Sequence, residues 1–416
     1  MGKLEKYTTH KESGVEWLGE IPEHWNILKS KYLHKNSKAL NRKNICDNVL
    51  SLTLRGVVNN NIDSPEGLVP KDYATYQIFE KDDLVFKLID LENISTSRVG
   101  IVHEKGIMSS AYIRLKIGQN SIPRFAYYYY YSLYINQVYN NIGSGVRSTL
   151  GPNDLLNIAY IEPPKEEQTK IASFLDEKTA QIDKAISQKE KLIELLKERR
   201  QITINEAVTK GLDKDVEFKD SGVEWIGEIP KNWGVKKLKY SVKNKTIKSM
   251  ENSFKIALEN IESQTTKYIE TKDIVFSEAG INFNKGDVLF GKLRPYLAKV
   301  YLAEKNGLCV SEFLVLEAKK INNIFLKFLL VSDLFIRHVN SSTYGTKMPR
   351  ASWDFIGNSL IPIPTKSEQL QIVKHIETQT AKIDKAIELQ QNYIAKLKEY
   401  KASLIDSVVT GKVRVA

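Results

Sequence analysis

SGVEWLGEIPEHW at Ser13–Trp25 returns as SGVEWIGEIPKNW at Ser221–Trp233, differing only at Leu18/Ile226, Glu23/Lys231 and His24/Asn232. A repeat of that length and fidelity marks an internal duplication, and it sets the frame for everything around it. Working outward, PKEEQTKIASFLDEKTAQIDKAI at Pro164–Ile186 answers PTKSEQLQIVKHIETQTAKIDKAI at Pro364–Ile387. The ends correspond too, AVTKG at Ala207–Gly211 against VVTGK at Val408–Lys412. Each half therefore holds an opening motif, a divergent middle, a proline-rich hinge and a long terminal segment.

The terminal segments read as helices. From Glu166 to Val208 and from Ser367 to Val409 there is neither Pro nor Gly, and Glu, Lys, Leu, Ala and Gln dominate. Apolar positions keep one phase in both: Leu175, Ile182, Ile186, Ile193 and Leu196 match Ile376, Ile383, Ile387, Ile394 and Leu397. Steps of three and four make the narrow stripe of a coiled-coil seam. At about 1.5 Å per residue such a helix runs roughly 60 Å, more than one compact domain covers, so its natural partner is its own duplicate. Thr179, Lys189, Thr380, Gln390 and Lys401 interrupt the seam, which costs stability and fixes register. The competing arrangement is two independent amphipathic helices, each packed on its own domain.

The middles share landmarks. DLVF in Lys81–Val102 and DVLF in Lys285–Ala303 predict short strands. SSAYIRLK at Ser109–Lys116 and SEFLVLE at Ser311–Glu317 predict further strands after a turn at Gly106 or Gly307. The expected fold is mixed α/β of the α+β kind: two similar globular domains, an antiparallel coiled coil of two long helices between them, and an internal pseudo-twofold. The expected segments are 1–162 and 213–362 for the domains, with 163–212 and 363–416 for the helices.

Surface chemistry concentrates in two pairs of loops. The first holds Lys87, Asn93, Ser95, Thr96, Ser97 and Arg98 in one half, and Lys292, Arg294, Tyr296 and Lys299 in the other, with Gly291 giving room for close approach. The second is GSGVRSTLGP at Gly143–Pro152, with Ser144 and Arg147, against YGTKMPRAS at Tyr344–Ser352, with Thr346, Lys347 and Arg350. Small hydrogen-bonding groups beside cations suit phosphates and base edges. Solvated turns with ordinary turn chemistry would look the same. The tyrosines Tyr127–Tyr131 fall in a helical stretch matching Ile324–Phe335, so they predict an aromatic core face rather than a base-stacking platform. Trp17, Trp25, Trp225 and Trp233 belong to the repeated opening and are expected to be structural.

Composition narrows the function. With 61 Lys+Arg against 50 Asp+Glu the chain carries +11, compatible with a polyanionic partner. Cys46 and Cys309 have no metal-ligand or disulfide spacing and read as reduced thiols. The start lacks a signal peptide's apolar stretch, and no run is long enough to span a membrane, so a cytoplasmic location is expected. The sequence holds no GxGxxG, no GxxxxGK[ST], no HExxH, and no Asn/Asp-Pro-Pro-aromatic tetrapeptide of adenine methylation. Pro163–Pro164 lie in IEPPK, flanked by Glu and Lys, and do not supply the last of these. Independent catalysis is therefore not expected.

Taken together, the paired openings, LIDLENISTSRVGIV at Leu88–Val102, GDVLFGKLRPYLAKV at Gly286–Val300 and the PPxxEQ hinge at Pro163–Gln168 resemble the specificity subunits of type I restriction-modification enzymes. The resemblance spans essentially the whole chain; the second hinge, PIPTKSEQ at Pro362–Gln369, is one residue longer. It implies two recognition domains, each reading half of a bipartite, asymmetric double-stranded DNA target, with the helices setting the unread spacer. It also implies two copies of an adenine-methylating subunit and a restriction and translocase subunit as partners. Metal and cofactor are expected to be absent from this chain, S-adenosylmethionine belonging to the methylating partner. The alternative is a non-catalytic coiled-coil scaffold whose globular parts bind other proteins.

Overall fold

The computed structural model describes residues 5–61, 72–89, 91, 99–142, 149–250, 254–271, 279–345 and 347–415. The chain divides into two compact units, Met1–Gln188 with Asn392–Ala416, and Lys189–Gln391. Each long helix thus gives its first part to one unit and its second part to the other.

In the first unit the opening motif forms a hairpin, His10–Glu12 against Glu20–Pro22. The next strand, Asn26–Lys29, pairs antiparallel with Ala159–Glu162, so the opening motif sits beside the hinge. Between them lies an antiparallel four-stranded sheet in the order Lys35–Asn36, Ile113–Lys116, Leu84–Phe86, Val99–Ile101. The second unit repeats the plan with hairpin Phe218–Asp220 and Glu228–Pro230, the pair Gly234–Lys237 and Leu360–Ile363, and the sheet Val242–Lys245, Phe313–Ala318, Val288–Gly291, Val300–Leu302. Both units also share an antiparallel ladder, Gln77–Phe79 with Gly106–Met108 in the first and Gly280–Phe283 with Gly307–Cys309 in the second. They differ in what surrounds it: the second widens it to a four-stranded sheet with Lys248–Ser249 and, parallel to Gly307–Cys309, Lys255–Ile256, whereas the first has single bridges there and adds the hairpin Leu50–Thr53 with Gly56–Asn59.

The unbroken apolar runs LVF and VLF arise because their strands are covered on both faces. Val288 and Phe290 enter a core with Leu326, Leu329 and Phe335, while Leu289 faces a second core with Ile256, Ile281 and Phe283. An aspartate opens each strand. Asp83 accepts the Glu80 amide and Asp287 the Asn284 amide, each at 2.7 Å, closing the preceding turn. Each is also paired with a cation, but from different strands: Arg114 of Ile113–Lys116 in one unit, Lys245 of Val242–Lys245 in the other. Burial pushes the Asp83 carboxyl up despite its bonds to the Glu80 amide and Arg114.

Gly106 and Gly307 begin strands rather than make turns, and neither has a positive φ. A Cβ at Gly106 would meet the Asn48 carbonyl oxygen at 2.8 Å, and one at Gly307 the Phe254 carbonyl oxygen at 2.6 Å, so these glycines permit close strand approach. Tyr128, Tyr129 and Tyr130, in helix Pro123–Ile135, are buried, as a core face requires. Their hydroxyls reach Asp176 and Thr179, the Ala159 carbonyl, and Ser30.

The long helices run unbroken over Lys165–Lys210 and Lys366–Val409. Leu175, Ile182, Ile186, Ile193, Ile376 and Ile394 are buried on the seam, while Leu196, Ile383, Ile387 and Leu397 are half-buried. Within the second unit Lys189 Nζ donates to Gln390 Oε1 at 3.1 Å and Arg200 Nη1 to Asp384 Oδ1 at 2.7 Å, a descending order on the second helix that makes the pairing antiparallel. Cys309 is buried, which pushes its thiol up to about 12; Cys46 is half-buried, and both are free. No helix among the described residues is long and apolar enough to cross a membrane.

Candidate nucleic-acid interface

The interface is built from the hinge outward. Glu167 accepts from Trp25 Nε1 and the Tyr7 hydroxyl at 3.0 Å each and lies 2.7 Å from His24 Nε2. In the second unit Glu368 accepts from Trp233 Nε1 at 3.0 Å and Asn232 Nδ2 at 3.1 Å. Burial opposes the charge on Glu167, but these donors outweigh it and hold the carboxyl below its usual range. The neighbouring glutamines tie in the domain helix: Gln168 Oε1 accepts the Ile122 amide and Gln369 Oε1 the Asn322 amide. Gln168 Nε2 donates to Pro163 O and Gln369 Nε2 to Pro364 O. The repeated Glu-Gln therefore locks opening motif, hinge and recognition domain into one piece in each unit.

On that platform the second unit brings its two polar loops together. Ala351 N donates to Lys292 O at 2.9 Å, Arg294 N to Pro349 O at 2.7 Å, and Leu293 bridges Arg350. Tyr344 and Arg350 exchange backbone hydrogen bonds of 3.2 and 3.0 Å, closing a tight loop in which Gly345 holds φ +90°. Lys292 is half-buried, Arg294 and Lys347 are exposed, and Tyr296 stands out on the turn Pro295–Leu297. Arg294 itself takes the left-handed φ of 49°, which aims the turn that follows it. Lys299 points elsewhere: its Nζ donates to Leu258 O at 2.7 Å, and burial lowers its pKa. The room at Gly291 is likewise used internally, since its amide donates to Lys299 O at 2.9 Å and a Cβ there would lie 3.2 Å from that oxygen.

In the first unit Leu150 N donates to Leu88 O at 3.0 Å, joining the same two loops at the same place, with Lys87 half-buried one residue earlier. Asn93, Ser95, Thr96, Ser97, Arg98, Ser144 and Arg147, together with Thr346 of the second unit, lie outside the described residues. A further site residue, Glu312, lies immediately before the strand Phe313–Ala318. Its carboxylate accepts from Arg350 Nε and Nη2 at 3.2 and 3.0 Å. No local pattern signals a pair so far apart in the chain. Among the described residues no group of His, Cys, Asp and Glu could hold a metal ion.

The chain matches the family described as the type I restriction modification DNA specificity domain twice, over residues 27–195 and 230–399. It is 26% identical over 335 residues to the type I restriction enzyme MjaVIII specificity subunit of Methanocaldococcus jannaschii, covering 75% of each chain. Among solved structures it resembles a chain from work on complex assembly and conformational transition of the type I R-M system, with TM-score 0.69 and 13% identity over 94% of this chain and 98% of that one. It also resembles the HsdS subunit from Thermoanaerobacter tengcongensis, with TM-score 0.51 and 15% identity over 97% and 100%. The repeated openings, the two copied sheets and the two family matches agree: the chain belongs to the type I restriction modification DNA specificity domain family and carries that domain twice.

Proposed function

We propose that this chain is the DNA-reading, non-catalytic subunit of a type I restriction-modification enzyme, each domain reading one half of a bipartite target in double-stranded DNA. The observation that carries this is the duplication of the whole family domain with unlike surfaces on a common frame. Copied hinges and sheets hold both halves to one plan, while the first unit's added hairpin, the second unit's added edge strands and the loop chemistry differ. One frame with two different faces suits two different half-sites. The paired helices set the number of base pairs left unread, and their repeated surfaces take two copies of an adenine-methylating subunit. A restriction and translocase subunit completes the assembly. S-adenosylmethionine and the chemistry belong to the methylating partner, whose pocket receives the extruded adenine.

Co-expression with an adenine-methylating subunit, followed by mapping of methylated adenines, tests this directly. A single interrupted, asymmetric motif is expected. Methylation without a motif, or with a continuous one, would remove the two-reader assignment. A protein-binding scaffold would bind duplex DNA weakly and with a shallow dependence on salt.

A further inference from the structure

We propose that Arg350 reads a guanine in the half-site of the second domain and that Glu312 is the positioning residue that aims it, an inference that rests on the DNA-reading assignment of these loops. Glu312 engages one edge of the guanidinium, with Nε at 3.3 and 3.2 Å from its two oxygens and Nη2 at 3.0 Å from Oε1. A guanidinium has five N–H donors in a planar fork. The other edge, Nη1 with the second Nη2 hydrogen, has no partner among the described residues, and the side chain is 38% exposed. Two parallel donors on a planar edge match guanine O6 and N7.

Two further features favour a base over a phosphate. The carboxylate neutralises Arg350 and would repel a phosphate, whereas the guanine edge is uncharged and offers only acceptors. Arg294 and Lys347, exposed nearby, are the cations better placed to meet the backbone. The arginine is also preorganised. Its main chain is tied to Tyr344 and Leu293, and the residues flanking it to Arg294 and Lys292, so little freedom remains to be lost on binding. A depression of about 350 Å³ opens beside it, walled by Lys292, Glu312, Tyr344 and Trp353.

The experiment uses the full chain assembled with its methylating subunit and duplexes carrying the mapped motif, each with one guanine replaced by 7-deazaguanine, which lacks the N7 acceptor. One guanine, in one half-site only, is expected to weaken wild-type binding about tenfold or more when replaced, and to matter less than about twofold to Arg350→Ala. Glu312→Gln should blunt discrimination at that same position and leave the other half-site intact. Wild type and Arg350→Ala responding alike to every replaced guanine overturns the proposal while leaving the interrupted motif, and so the DNA-reading assignment, in place. Absence of any motif in the wild type removes both. Should Arg350→Ala fail to assemble, Arg350→Lys, which keeps the charge without the planar fork, replaces it in the same comparison.

Discussion

Glu167 and Glu368 do equal work at equivalent places, each accepting from a buried indole that opens its own unit. Glu167→Ala leaves Trp25 Nε1 and the Tyr7 hydroxyl without an acceptor and is expected to cost about 1–3 kcal/mol in urea unfolding of the full chain. An unchanged midpoint would mean the donors find water instead. His34 is a second sensitive residue. It is buried against the rings of Tyr130 and Tyr160, its Nε2 has no partner among the described residues, and burial lowers its pKa to about 4. The unfolded chain takes up this proton near the ordinary histidine value while the folded chain resists it. Stability is therefore full above that value and falls as pH drops toward 4, with about 2 kcal/mol gone between pH 7 and 5. Unfolding at both pH values should show that loss, and His34→Phe should remove His34's share of it.

At the scale of elements, the helices carry matched ion pairs within each unit: Asp183 with Lys401, and Asp384 with Arg200. Sequence spacing predicted polar breaks in the seam at Lys189, Gln390 and Lys401, and the structure gives each a partner. Their environments differ, however. Arg200 and Asp384 are only 10% and 25% exposed, and Arg200 Nη2 also donates to Thr265 O, whereas Asp183 is 57% exposed. Arg200→Ala is accordingly expected to cost about 2 kcal/mol, because the shielded Asp384 loses a charged donor and keeps only the exposed Lys267, 2.9 Å away. Lys401→Ala should cost under about 1 kcal/mol, since its partner faces water. Thermal unfolding of the two variants side by side checks the asymmetry; equal losses would contradict it.

For the whole molecule, exchanging residues 35–160 for those of a relative should change one half of the methylated motif and leave the other intact. Removing one heptad from each long helix should alter only the spacer, by keeping the seam in phase while shortening the paired arms. A swap that changes both half-sites at once would contradict separate readers. Affinity for the target duplex should fall as a power of salt concentration set by the phosphates neutralised, which the net charge of +11 permits but does not locate.

Legible along the chain were the duplication, the unbroken helices, the strands at Leu84–Phe86 and Val288–Gly291, and the core role of Tyr128, Tyr129 and Tyr130, with Tyr127 and Tyr131 half-buried beside them. These are signals of period, composition and repetition, which are local or copied and so can be read along the chain. What Lys299 and Gly291 do, that Gly106 and Gly307 serve close packing, and that Glu312 holds Arg350 emerge only from the folded chain. Each of those depends on which distant segment lies opposite, and a linear pattern carries no record of that neighbour. The same cause explains the swapped cations Arg114 and Lys245: folding selects for a charge beside the buried aspartate, not for the strand that delivers it.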